Sequence, residues 1–70
     1  MSKKIARGIT ENLLEQYNRA LNYIRLENNK FLNEKTIDYR MRIDYNAGRI
    51  DQQLIMISDL KLILKELNES

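Results

Sequence analysis

The apolar residues of this chain recur every three or four positions, which is the spacing of one face of an α-helix. The first stripe consists of Leu13, Tyr17, Ala20 and Ile24, and it follows Thr10, a residue type that often caps a helix. The pattern therefore predicts a first helix over about 10–27. No segment alternates polar and apolar residues for long enough to predict a β-strand.

Capping and helix-breaking residues predict two further helices. After a polar connection, Asn33 is placed to cap a helix over about 34–47. Gly48 is expected to end that helix, because glycine readily takes the left-handed conformation found after a C-terminus. Asp51 is then placed to cap a third helix over about 52–68, which is apolar on more than one side. The expected fold class is all-α, a small three-helix domain.

The composition excludes several classes of function. The chain has 70 residues, 43% of them apolar and 31% charged, and it contains neither Cys nor His. Thiol nucleophiles, histidine bases and zinc sites are thereby removed, and we expect no metal, no cofactor and no catalytic residue. A basic arm at 1–9 is expected to precede a single helical domain at 10–70. No apolar run approaches the roughly 18 residues of a membrane helix, and no signal peptide is recognisable, so a bacterial cytoplasm is the expected location.

The small size and even charge of the chain indicate an interaction protein. A domain this short buries only about 60% of the surface of its unfolded chain. With no disulfide or metal to stabilise it, binding to a partner or self-association is expected. The net charge is only +2, and the basic residues of the later part of the chain are interleaved with aspartates: Arg40, Arg42 and Arg49 among Asp38, Asp44 and Asp51. This mixed pattern is typical of a solvated face and argues against a nucleic-acid interface.

Glu27 interrupts the apolar stripe of the first predicted helix. It follows Ile24 by three positions, where the pattern asks for an apolar side chain, and it falls at the predicted C-terminus, where the helix dipole disfavours an acid. Two interpretations remain open from spacing alone. Either Glu27 meets a cation on another molecule, or the helix frays at Leu26 and the carboxylate is solvated.

The residues around Glu27 resemble a known inhibitory motif. The run Tyr23-Ile24-Arg25-Leu26-Glu27-Asn28 is similar to the Ser/Thr-x-x-x-Glu-Gly/Asn motif of the class I antitoxins of Fic proteins, the VbhA/FicA-like type. Farther along, Tyr45-Asn46-Ala47-Gly48 and the acidic start before Leu54 match the family's later turn and final helix. The resemblance covers about 16–62. Tyr23 departs from it, because it stands where Ser or Thr is expected.

The resemblance implies an inhibitor. Fic proteins transfer AMP from ATP to protein hydroxyls. In this family the antitoxin glutamate pairs with the arginine of the Fic active site that would otherwise hold the γ-phosphate of ATP. By that analogy Glu27 carries the inhibition, and Asn28, Tyr23, Arg25 and Leu26 complete the motif. The triphosphate is then held in a pose from which AMP transfer does not proceed, since such transfer depends mainly on positioning.

The resemblance also implies a partner, a Fic-domain protein bound as a 1:1 heterodimer, with no nucleic acid and no membrane involved. The partner is either a toxin of the same cell or a secreted effector of the Bep type, whose small partner is of the BiaA type. The stripe of Leu13, Tyr17, Ala20 and Ile24 either docks on that partner or packs on the chain's own later helices. A generic helical adaptor or secretion co-chaperone is the alternative function, and it gives Glu27 no role. A small DNA-binding regulator is a third, and it predicts binding that weakens steeply with salt.

Overall fold

The computed structural model describes residues 2–35 and 37–69, and its described part consists of two long helices. Helix α1 spans Lys3–Glu34 and helix α2 spans Tyr39–Glu69. The short connection between them returns the chain along itself, so the two helices form an antiparallel hairpin. The molecule measures 51 × 15 × 14 Å. Its long dimension matches the roughly 48 Å expected for 32 helical residues at 1.5 Å each.

Side-chain and backbone hydrogen bonds define the helix ends. Ser2 caps α1, because its hydroxyl oxygen accepts a hydrogen bond from the N–H of Ile5 at 3.2 Å. Lys35 ends α1 in the left-handed region, at φ 45° and ψ 51°, and its N–H donates to the carbonyl of Phe31 at 2.9 Å. Asp38 precedes α2, and its carbonyl oxygen accepts a hydrogen bond from the N–H of Arg42 at 3.2 Å.

The two helices meet along a seam whose residues alternate spacings of three and four. This heptad spacing is that of a coiled coil. Four apolar residues of the described ranges are buried, and all lie in this seam, two from each helix: Leu21, Ile24, Ile57 and Leu60. On α1 the seam positions, all buried or half-buried, are Arg7, Thr10, Leu14, Tyr17, Leu21, Ile24, Asn28 and Phe31. On α2 they are Ile43, Asn46, Ile50, Gln53, Ile57, Leu60, Leu64 and Leu67.

The prediction of three helices is wrong, although the all-α class is correct. The expected connection at 28–33 lies inside α1, and the expected break at 47–51 lies inside α2. Gly48 has no positive φ, and Asp51 is an interior residue of α2 rather than a cap. Asn and Gly are only weak helix breakers, and pairing of the two helices along the seam outweighs their intrinsic preference.

The first helix also begins earlier than predicted. Residues 3–9, expected to form an arm, are the first turns of α1. Thr10 does not cap a helix, because it is an interior residue of α1. Its hydroxyl donates to the carbonyl of Ala6 at 2.7 Å, one turn back in the same helix.

Neither of the two helices in the described part of the chain is long and apolar enough to cross a membrane.

Candidate functional site

Glu27 and Asn28, the centre of the predicted inhibitory motif, lie within α1 and not at its end. The helix continues for seven more residues to Glu34, and Asn28 has no positive φ. Their backbone groups are therefore part of the helical ladder, and only their side chains are available for recognition. Both side chains are half-buried beside α2.

A polar cluster crosses the seam at this level. Asn46 is 1% exposed, and its side-chain N–H₂ donates to Oδ1 of Asn28 at 2.8 Å. The same Nδ2 lies 3.5 Å from Oε1 of Glu27. On the other side of the amide, Oδ1 of Asn46 accepts a hydrogen bond from Nη1 of Arg49 at 3.1 Å. The buried amide is thus satisfied by residues from both helices, as a buried polar group requires.

The carboxylate of Glu27 has no cationic partner within residues 2–35 and 37–69. Among the described residues, its one polar contact is the amide nitrogen of Asn46 at 3.5 Å, the outer limit of a hydrogen bond. The ion pairs identified in this part join Glu15 to Arg19, Asp38 to Arg42 and Lys65 to Glu69. A half-buried acid with one weak contact has unused acceptor capacity, so it is suited to a donor from another molecule.

Glu27 stands at the edge of an open depression, here called the charged hollow, of about 270 Å³. Its lining residues are Glu27, Phe31, Asp38, Met41, Arg42, Tyr45, Asn46 and Arg49. A neighbouring depression of about 500 Å³ is lined by Tyr23, Leu26, Glu27, Lys30, Phe31 and Arg42. Because Glu27 lines both, its carboxylate can be approached from either side.

Two arginines of the charged hollow are held by neighbours. Arg42 donates from Nε to Oδ2 of Asp38 at 2.7 Å, and its guanidinium carbon lies 5.2 Å from the ring centroid of Phe31. The guanidinium carbon of Arg49 lies 5.8 Å from the ring centroid of Tyr45. Both distances are within the range of cation–π attraction. Neither guanidinium is paired with Glu27, although both line the same hollow.

Tyr39 and Arg40, next to the hollow at the start of α2, shift each other's pKa. The hydrogen bond from Nε of Arg40 to the hydroxyl of Tyr39, at 3.3 Å, lowers the pKa of that phenol because it favours the phenolate. The same hydrogen bond raises the pKa of the Arg40 guanidinium.

The remaining motif residues face solvent. Tyr23 is 66% exposed and Leu26 is 68% exposed, and Arg25 is also exposed. A large aromatic and a large aliphatic side chain in solvent beside an unpaired acid form a surface with both apolar area and charge. Of these side chains, the exposed tyrosine belongs to a residue type that is enriched in protein interfaces.

The predicted partner-binding stripe is divided by the structure. Ile24 is 2% exposed and lies in the seam, so it stabilises the hairpin. Tyr17 and Ala20 are half-buried. Leu13 keeps 38% of its surface exposed. Of the four residues, Leu13 is therefore the exposed one, and Tyr17 lines a depression of the surface.

The residues beside the seam form two flanks, defined by their heptad positions. Along each helix the seam residues come in pairs spaced by three, such as Leu21 and Ile24. In an antiparallel coiled coil, the residue just before such a pair on one helix lies beside the residue just before such a pair on the other, and the residues just after the pairs lie together on the opposite side. The first flank consists of Ala6, Leu13, Ala20, Glu27, Arg42, Arg49, Met56 and Ile63. The opposite flank consists of Glu11, Asn18, Arg25, Leu32, Ala47, Leu54, Lys61 and Asn68. The charged hollow lies on the first flank.

Sequence reasoning missed the α2 half of this site. The sequence pattern places Asn46 in a predicted turn and Arg49 on a solvated mixed face. The spacing of Ile43, Asn46 and Ile50 by three and then four was the signal that could have placed Asn46 in a seam.

No family model, no curated protein and no solved structure matches this chain.

Proposed function

We propose that this protein is an antitoxin that binds a Fic-domain AMP-transferase and inhibits it through Glu27. The observation that supports the proposal is the carboxylate of Glu27, which has no cationic partner in the described part of the chain. It lies beside the exposed side chains of Tyr23 and Leu26. The six-residue run around it resembles the antitoxin motif.

The proposed mechanism is competition for an arginine. A guanidinium of the partner enters beside Glu27 and pairs with its carboxylate, since a charge-assisted, bidentate pair of this kind is strong and directional. That arginine is then unavailable to the γ-phosphate of ATP. Because transfer of AMP depends on an in-line arrangement at the α-phosphorus, a displaced triphosphate is enough to stop the reaction.

The hairpin determines how the carboxylate is presented. Since α1 continues past Glu27, the partner meets the side of a rigid helix and not a helix end. Arg42 and Arg49 share the hollow with Glu27, but Arg42 is neutralised by Asp38 and Arg49 is held by Asn46. We expect the partner's guanidinium to approach from the depression beside Tyr23 and Leu26, because Arg49 does not line it and the Arg42 that does is paired with Asp38.

The test uses the Fic-domain protein encoded beside this chain, recognised by a His-Pro-Phe-x-x-Gly-Asn-Gly-x-x-Arg loop. Glu27→Ala is expected to restore AMP incorporation from labelled ATP while the two proteins still co-purify. Truncating one partner of a buried, hydrogen-bonded charge pair weakens a complex by about 2–5 kcal/mol, and the rest of the interface is expected to keep the two proteins together. Glu27→Gln keeps the shape without the charge and is expected to restore activity in part.

The matched control is Glu11→Gln, an exposed acid of α1 on the opposite flank. It removes the same charge as Glu27→Gln does. Because Glu11 lies outside the motif, inhibition should remain unchanged. Full inhibition by Glu27→Ala would refute inhibition through Glu27, and a wild-type chain that leaves AMP transfer unchanged would favour a helical adaptor. Activity that returns only because Glu27→Ala has dissociated from the partner would also refute it.

A further inference from the structure

The accessible surface of the hairpin is larger than that of a typical globular monomer of the same mass. Monomeric proteins of 8.4 kDa expose about 4,600 Å² by the usual scaling of area with mass, whereas this chain exposes 5593 Å². The excess is about 1,000 Å², and each partner in a standard protein interface buries about 800 Å². One more interface of ordinary size would therefore bring the chain to the burial of a typical globular protein.

The distribution of apolar side chains indicates where that interface lies. In the half of the hairpin away from the connection, the first flank carries only apolar residues: Ala6, Leu13, Ala20, Met56 and Ile63. In the same half, the opposite flank carries Glu11, Asn18, Leu54, Lys61 and Asn68. This apolar half of the first flank is called the apolar patch below. One face of the hairpin is thus apolar where the other is mostly polar, as in a helix pair that packs on a further layer.

The surface of the apolar patch is not flat, because it has projecting side chains and a depression beside them. Next to it lies a depression of about 400 Å³, lined by Tyr17, Gln52, Gln53, Ile55 and Met56. Leu13 is 38% exposed and Ile63 is 45% exposed, so each projects from the same flank. A surface that has both projecting side chains and a depression can complement itself about a two-fold axis.

We propose that the apolar patch is the interface with a second copy of this chain, which gives a four-helix dimer. The area in excess matches what one copy would bury, and the five patch residues carry no charge that would repel an identical face. The net charge of +2 per chain adds little long-range repulsion. Four-helix bundles form by this pairing of helical hairpins.

The dimer is a property of the free chain, and it does not depend on the proposed function. Glu27 and the charged hollow lie outside the patch, at the connection end of the hairpin. Leu13 belongs both to the patch and to the residues expected to contact a Fic-domain partner. Dimerisation and binding of such a partner through Leu13 would therefore exclude each other.

The experiment is a measurement of mass by sedimentation equilibrium over a concentration series of the complete chain. The expected mass tends to twice 8.4 kDa with rising concentration. Ile63→Gln is expected to raise the dimer dissociation constant at least about 30-fold, since a two-fold interface contains the lost side chain twice. Leu13→Gln should have a similar effect.

The matched control is Leu62→Gln, the neighbouring residue, which is 57% exposed on the outer side of α2. It removes a similar apolar side chain and should leave the dissociation constant unchanged. Circular dichroism of each variant monitors helix content. If a variant loses helix, the wild-type chain still gives a test, because the unfolding midpoint of a dimer rises with protein concentration.

Two results would overturn the proposal. One is a wild-type chain that is helical and keeps a mass of 8.4 kDa up to about 0.2 mM, a concentration that would populate even a weak dimer. The other is a dimer that Leu62→Gln weakens as much as Ile63→Gln does, which would place the interface on the outer side of α2.

Discussion

Gly48→Ala distinguishes one continuous α2 from two helices joined at Ala47-Gly48. In the structure Gly48 is an interior residue of α2 with no positive φ. A Cβ atom added at this position would meet nothing within 4 Å. Alanine therefore fits without a clash, and it removes the backbone entropy that glycine loses in a helix.

The expected gain follows from helix propensity alone. Gly to Ala in a helix interior stabilises by about 0.8–1 kcal/mol, and the open surroundings of Gly48 add no packing. A 70-residue chain unfolds with an entropy of roughly 0.15 kcal/mol/K. The midpoint of thermal unfolding should accordingly rise by about 6 °C.

The assay is thermal unfolding followed by circular dichroism at one fixed protein concentration. Ala47→Gly is the reciprocal control, because Ala47 is exposed in the same helix and should lose about as much as Gly48→Ala gains. A fall in the midpoint for Gly48→Ala would refute the reasoning. It would mean that Gly48 has a positive φ, as the three-helix interpretation requires, where alanine is strained by about 1–2 kcal/mol.

Three further substitutions test the hairpin. Lys35→Gly should stabilise by up to about 1 kcal/mol in urea unfolding, because φ at Lys35 is 45° and glycine accepts this region freely; a loss of stability would contradict the assigned end of α1. Asn46→Ala should destabilise by about 2–3 kcal/mol, since it leaves Asn28 without its donor, whereas the exposed Asn29→Ala should change little; equal effects would place Asn46 at the surface. Gln53→Met should stabilise by about 1 kcal/mol, because Oε1 of Gln53 is buried without a hydrogen-bond partner in the described structure, and an unfolding midpoint that falls would show that the oxygen is satisfied.

The helical class could be predicted from the sequence because the apolar spacing is long and regular. The number of helices could not, because it depended on three local signals. Gly48, Asp51 and the asparagines near 28 are each residue types that often end or cap helices. Each costs a helix only about 1 kcal/mol or less, so pairing along a long seam overrides all three.

The candidate site was predictable on one helix only. An acid on the apolar stripe drew attention to Glu27, and the structure leaves it without a cation in the described part of the chain. Its surroundings depend on α2, because Asn46 and Arg49 reach this level only when the chain folds back as a hairpin. The predicted break after Ala47 separates Asn46 from Arg49, so the three-helix prediction does not assign the two residues to one site.

Asn28 and Asn46 link the fold to the site. An asparagine pair in an otherwise apolar seam costs burial, and in coiled coils such residues fix register because any slip buries an amide without its partner. Here the bond from Asn46 to Asn28 sets one alignment of the hairpin, and in that alignment Glu27 shares a hollow with Arg42 and Arg49. A slip of one heptad would place the acid at another level of α2. The polar pair at the seam therefore fixes the surroundings of the carboxylate on which the proposed inhibition depends.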